Sequence, residues 1–233
     1  MKYFSLAILF CFFSTVPVGN SVTIKCYYYL DHGYWPAHNR EYQCHVLSIE
    51  VFTEDRVNIE KAEGNHRSEK SDDDVKTFTI IRSNLTYFPR NVENIFKNLE
   101  RFHIYDSNLI EITSEDLRPF PKLKSFYLDG NPIEIIRESL FVHNSELEIL
   151  YLVNNKINHI DPNALNHLNK LNAIWFNKNT CKIDKNKAES RPEVLEMVKQ
   201  IEQGQCQSPK STTTTENPLI LEINQLKQQI EQQ

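Results

Sequence analysis

The apolar positions of this chain recur every 24 residues: Val75, Leu99, Leu123, Leu147 and Leu171 stand one period apart. Each opens the same pattern, with apolar residues at positions 1, 4, 6 and 11. The five segments read VKTFTIIRSNL, LERFHIYDSNL, LKSFYLDGNPI, LEILYLVNNKI and LNAIWFNKNTC. Position 14 is apolar in the first four units, as Phe88, Ile112, Ile136 and Ile160. Such self-similarity at a fixed period predicts a stack of identical supersecondary units.

Positions 4 and 6 sit two apart, as side chains on one face of a short strand do. One unit cannot bury them, but stacked units cover one another, which predicts a continuous core and a parallel sheet. Position 9 is polar throughout, with Ser83, Ser107, Asn131, Asn155 and Asn179. A polar side chain there can bond the backbone of the turn leaving the strand. The return half of each unit is richer in apolar residues than a loop should be. Position 22 holds Phe96, Phe120, Asn144 and Leu168, and position 19 holds Leu117, Phe141 and Leu165. These predict short helical turns packed against the far side of the core.

The LxxLxLxxNxL spacing resembles that of extracellular leucine-rich repeat proteins, and LDGNPIEII and LVNNKINHI are close to the family consensus. The resemblance covers residues 75–181 and, by layout, the flanks. In plan the chain is most similar to short secreted insect leucine-rich repeat proteins of the immune type. The resemblance implies an α/β repeat fold: a right-handed solenoid, or horseshoe, with a parallel β-sheet on its concave face and disulfide-capped ends. It also implies recognition of another molecule, in innate immunity.

The flanks fit that plan. Residues 1–21 read as a secretory signal peptide, with Lys2 ahead of an apolar run from Tyr3 to Phe13 and small residues at Gly19 and Ser21. A run of about 11 residues is too short for a membrane span, which needs roughly 20. Cys11 falls in the leader, which leaves Cys26, Cys44, Cys181 and Cys206, an even number in an oxidising compartment. A repeat stack exposes apolar surface at both ends and needs caps. Residues 22–74 form the expected N-terminal cap, a hairpin with Cys26 bonded to Cys44 around a loop holding Gly33 and Pro36. The polar stretch 54–74, with Asp72, Asp73 and Asp74, lacks the spaced ligands of a calcium motif and reads as a solvated loop. Repeats fill 75–180, and residues 181–206 make the C-terminal cap. There Ser190 and Glu193 suggest a capping box, Val194, Leu195, Val198 and Ile201 an apolar stripe, Gly204 a stop, and Cys206 a bond to Cys181.

A threonine-rich linker, 207–218, leads to a tail, 219–233, in which Leu219, Ile223, Leu226 and Ile230 are spaced as a heptad seam. Two heptads are marginal alone, so the tail is either a dimer seam, with a like or related chain, or a loosely helical end. Asn84-Leu85-Thr86 is an N-glycosylation acceptor.

Charge and chemistry narrow the function. Without the leader the chain carries 25 basic and 31 acidic side chains, a net of −6, which disfavours nucleic acid or an anionic membrane as partner. There is no phosphate loop, HExxH, CxxC or GxSxG pattern. The reading is therefore a non-enzyme with no cofactor, no metal and no membrane anchor.

In such a repeat, positions 3, 5 and 7 face away from the core, onto the concave face. Position 5 runs Thr79, His103, Tyr127, Tyr151 and Trp175; position 7 includes Tyr105, Asp129 and Val153; position 3 includes Arg101 and Ile149. Four ring side chains in register, with apolar neighbours, predict an exposed ladder of the kind that marks an interaction site. Five strands at about 4.8 Å give a footprint on the order of 310 Å², below the ~800 Å² per partner of a standard interface. Caps, loops or a second copy should therefore contribute, unless the ligand is a small carbohydrate or lipid-like molecule. The expected function is a secreted protein that binds an extracellular protein or cell-surface ligand through this face. The alternative is a structural, matrix or adhesion protein that assembles through the sheet face and tail.

Overall fold

A computed structural model describes residues 21–30, 41–46 and 56–207. The leader up to residue 20, the Gly33 and Pro36 loop, residues 47–55, nearly all of the linker and the Leu219, Ile223, Leu226 and Ile230 seam lie outside the described residues.

Each repeat begins with a strand. After β1 (Ser21–Lys25), β2 (Tyr27–Leu30), β3 (Tyr42–Val46) and β4 (Asn58–Glu63) come the repeat strands β5 (Thr77–Ile81) and β6 (Arg101–Tyr105). Then follow β7 (Ser125–Tyr127), a short β8 (Ile135–Ile136), β9 (Ile149–Tyr151), β10 (His159–Ile160), β11 (Ala173–Trp175) and β12 (Lys187–Ala188). The five repeat strands β5, β6, β7, β9 and β11 pair in parallel with equal repeat positions opposite, so Phe78, Phe102, Phe126, Leu150 and Ile174 form one row.

The sheet is larger than the repeats predict. Eight strands lie in the order β12-β11-β9-β7-β6-β5-β3-β2. The repeat strands are parallel as expected, but the sheet as a whole is mixed: β3 joins β5 in parallel, whereas β2 is antiparallel to β3 and β12 to β11. A parallel neighbour needs a long crossover, whereas an antiparallel one needs only a reversal of the chain. At each end the chain reverses instead of making another coil.

Positions 1, 4, 6, 11 and 14 are buried in the first four units as the pattern requires, and Cys181 at position 11 of the fifth is half-buried. The rings of Phe88 and Phe102 lie 4.6 Å apart, and Phe102 and Phe120 5.4 Å apart. Buried Asn144 is the exception at position 22; its amide donates to the carbonyls of Leu117 (3.2 Å) and Phe120 (2.8 Å) in the preceding unit. The return segments hold two single-turn helices, α1 (Val92–Ile95) and α2 (Ser114–Leu117). In the next two units β8 and β10 pair in parallel instead.

Position 9 does more than close its own turn. Asn131 donates to the carbonyls of Leu128 (2.9 Å) in its own unit and Ile104 (2.9 Å) in the unit before, while Leu109 N–H donates to its Oδ1 (3.3 Å). Asn155 and Asn179 repeat the scheme. Ser107 donates to Tyr105 O (3.0 Å) and accepts from Ser83 N–H (3.1 Å). Position 8, just before it, has positive φ in every unit: Arg82 50°, Asp106 46°, Gly130 72°, Asn154 56° and Lys178 60°. This left-handed residue turns the chain out of the strand after its N–H has met the next unit, as in Asp106 N to Asp129 O at 3.0 Å.

Both expected disulfides are formed, Cys26–Cys44 and Cys181–Cys206, each with Cα atoms 5.1 Å apart. The stretch 54–74 is not a plain loop. Residues 58–63 form β4, parallel to β1, with Val57 and Ile59 buried two apart. Asp72–Asp74 form a 3₁₀ turn in which Asp72 accepts the Tyr28 hydroxyl (2.6 Å) and Asp74 accepts Ser71 N–H (2.9 Å). The acidic run thus fastens the cap. At the other end, α3 (Arg191–Glu202) buries Val194, Met197 and Ile201. Leu195 is exposed, which corrects the expected stripe: Met197, three residues from Val194, shares the inner face and Leu195 does not. Ser190 is the N-cap, but the Glu193 carboxylate accepts the Glu189 N–H (2.8 Å) and a Lys185 ammonium hydrogen (2.7 Å), so the reciprocal box is absent. Gly204, at φ 84°, follows the helix end.

Candidate binding face

The strand period puts positions 3, 5 and 7 on the face opposite the core. Register then aligns position 5 into one row, with Thr79 beside His103, His103 beside Tyr127, Tyr127 beside Tyr151, and Tyr151 beside Trp175. The rings touch. Centroids are 4.4 Å apart for His103 and Tyr127, 5.4 Å for Tyr127 and Tyr151, and 5.3 Å for Tyr151 and Trp175. Tyr105 meets Tyr127 edge to face at 6.4 Å. Such offset and edge contacts are the favoured aromatic arrangements.

The row is less exposed than the sequence suggests. Tyr127 is 4% exposed, His103 7% and Ile149 6%. Tyr127, Ile149 and Ala173 form a second apolar cluster, separate from the main core, against which Tyr105, Tyr151 and Trp175 pack. Val153 and Asp129 are half-buried beside it. Arg101 is buried and ion-paired with Glu41, which also accepts the Thr77 hydroxyl (3.3 Å), so it ties the cap to the second repeat.

The cap enlarges the face, as the small footprint of the repeats required, but through two strands that the sequence reading did not place in the row. His45 of β3 stands beside Thr79, and Tyr27 of β2 beside His45, so the position-5 row continues across the N-terminal cap. Tyr27 is exposed and the Tyr29 hydroxyl lies 3.2 Å from His45 Nδ1. The signal was there in YQCHV, where Cys44 and Val46 alternate as positions 4 and 6 do, but 34 residues separate Cys44 from Phe78 and the 24-residue period hides it. Eight strands at about 4.8 Å raise the footprint to ~500 Å² on the earlier arithmetic.

Electrostatics mark one spot. Burial, and then the neighbouring charge of Asp106, push the Asp129 carboxyl up to about 6. Burial, and then the Asp129 charge, hold the Tyr105 hydroxyl far above its ordinary range. Burial raises Tyr127 to about 12 and raises Tyr151 as well. Burial alone lowers His45. Among the described residues no group of three His, Cys, Asp or Glu could hold a metal ion, and no helix is long and apolar enough to cross a membrane. Asn84 is exposed in the turn after β5, where it accepts the Asn108 amide (2.6 Å).

Residues 121–179 match the family model described as leucine rich repeat. That stretch is similar to leucine-rich repeats. The match takes in β7, β9 and β11 with the asparagine ladder between them. The other repeats, with serine at position 9, share its register and pairing. No curated protein matches the chain by sequence. Among solved structures, the complex of Toll with Spätzle, described as a molecular hub in Drosophila development and innate immunity, is similar at 18% identity, with a TM-score of 0.43. That likeness covers 53% of this chain and 17% of that one, so the chain spans about a sixth of the length of its neighbour.

Proposed function

We propose that the chain is a secreted binding protein that recognises an extracellular protein or cell-surface partner through the outward face of the eight-stranded sheet. The observation that carries this reading is the second apolar cluster, with four rings in register on the side turned away from the core. A core is covered by its own fold, whereas this cluster leaves Tyr151 and Trp175 half-buried at a sheet surface. Tyrosine and tryptophan in that position are the usual anchors of interfaces. The immune role comes from the sequence resemblance. The secretory leader at residues 1–21 and the Cys26–Cys44 and Cys181–Cys206 bonds support an extracellular site of action. Asn84 is the proposed glycosylation site. The tail seam is proposed to pair two chains, which would present two faces to a repetitive target; a monomer by ultracentrifugation at micromolar concentration would refute the pairing.

The test is capture from extracellular fluid by the intact chain and by a folded variant with Tyr127→Ala, Tyr151→Ala and Trp175→Ala. A partner that is retained by the first and lost by the second, and that rebinds when purified, supports the reading. Equal capture by both would make the ladder structural.

A further inference from the structure

Among the described residues, the face carries a charge that no counter-charge answers. Asp129 stands two residues past Tyr127, beyond the end of β7. Its Oδ1 is buried and has no hydrogen-bond partner among the described residues, while the carboxylate accepts a bond from its own backbone N–H. The cations of the face are engaged elsewhere: Arg101 with Glu41, and Lys187 with Glu189 at 2.9 Å. The charge that acts on Asp129 among the described residues, that of Asp106, is also negative. A desolvated carboxylate without a counter-charge is unfavourable in a resting protein.

Its surroundings are aromatic. Tyr105 on β6, Tyr127 on β7 and Tyr151 on β9 all feel its charge. Tyr105 and Tyr127 meet at 82°, and Tyr127 and Tyr151 stack at 18°. Aromatic faces attract a cation through the ring quadrupole, and a carboxylate adds a charge-assisted hydrogen bond. An apolar ligand would gain nothing from Asp129, and an anion would be repelled.

We propose that Asp129, Tyr105, Tyr127 and Tyr151 form a cation site that takes a lysine or arginine side chain of the protein partner. This rests on the reading of the face as a binding surface and gives it a chemical class.

The test titrates the whole folded chain with acetyl-lysine-methylamide, acetyl-arginine-methylamide and the uncharged acetyl-norleucine-methylamide, and reads the ring resonances of the three tyrosines by NMR. The basic compounds should shift these rings and norleucine should not. Asp129→Asn, nearly isosteric, should weaken the basic compounds at least tenfold while its spectrum stays folded. In the unsubstituted chain the affinity should fall between pH 7 and pH 5, and Asp129→Asn should flatten that dependence. The flattening separates Asp129 from the other groups near it: Asp106, the three tyrosines, and His103, Arg101 and Lys187 around Tyr127 and Tyr151.

Equal binding by Asp129→Asn, or no ring shift with either basic compound, would overturn the site. Equal shifts with norleucine would overturn it while leaving the aromatic face a binding surface. Tighter binding of choline than of either basic compound would overturn the assignment to a protein side chain. Failure of the face as a whole would show instead in the capture experiment.

Discussion

The side chain of Asn155 joins two repeats: its amide donates to the carbonyl of Leu128, 2.9 Å away in the preceding unit, while the N–H of Ile133 donates to its Oδ1 at 3.4 Å. It also donates to Leu152 in its own unit (3.2 Å). These are buried backbone groups at a turn that no ladder bond reaches. Asn155→Ala should therefore lower stability by about 1–3 kcal/mol, because the buried Ile133 N–H loses its acceptor while the Leu128 and Leu152 carbonyls keep only the amides of Asn131 and Asn179. Thermal melting checks this, and a loss under ~0.5 kcal/mol would mean that water replaces the side chain.

The left-handed position 8 gives a prediction of opposite sign. Lys178 adopts φ 60° with a side chain that disfavours it. Lys178→Gly should raise stability by about 0.5–1 kcal/mol, the relieved strain exceeding the added freedom of the unfolded chain. Gly130→Ala should do the reverse, since a Cβ there would stand 2.2 Å from Asp106 Oδ1 at φ 72°. Paired melting curves decide both, and equal midpoints would show that the turn has little strain.

Asp129 should make stability depend on pH. Its carboxyl lies at about 6 in the fold, against 3.8 when unfolded. Folding therefore favours the protonated form: the ionised group is unfavourable above pH 6, and the penalty fades as pH falls through 6 toward 3.8. Asp129→Asn should be more stable than the unsubstituted chain at pH 7.5, by about 1–2 kcal/mol after allowance for partial exposure. The difference should vanish near pH 4. A variant less stable at every pH would show that the carboxylate is structural, not held for a ligand.

The Cys181–Cys206 bond closes a separation of 25 residues and pins α3 over the last repeat, where Ile160 N–H also donates to Cys206 O (2.9 Å). Cys206→Ser should cost about 3 kcal/mol by the loop-entropy relation. It should also expose the inner face of α3. Unchanged secretion and melting would mean that the helix packing alone seals the end.

The sequence by itself determined the repeat, its core and its outward rows. A 24-residue period places Phe78, Phe102 and Phe126 in one layer, and any strand pairing that keeps the period puts Tyr127 beside Tyr151. Cysteine parity and position at the ends likewise made both disulfides legible. Tertiary structure decided what lay outside the period. The cap strands β2 and β3 extend the aromatic row because a 34-residue offset still yields the same register, and register is set by pairing rather than by spacing. Leu195 is exposed and Met197 buried because the angle at which α3 lies on the last repeat chooses between neighbouring helix faces. Only the assembled sheet brings Tyr105, Tyr127 and Tyr151 from three units around Asp129 and engages Arg101 elsewhere. Charge and burial depend on every neighbour in space, and the neighbours that matter here come from different turns of the coil.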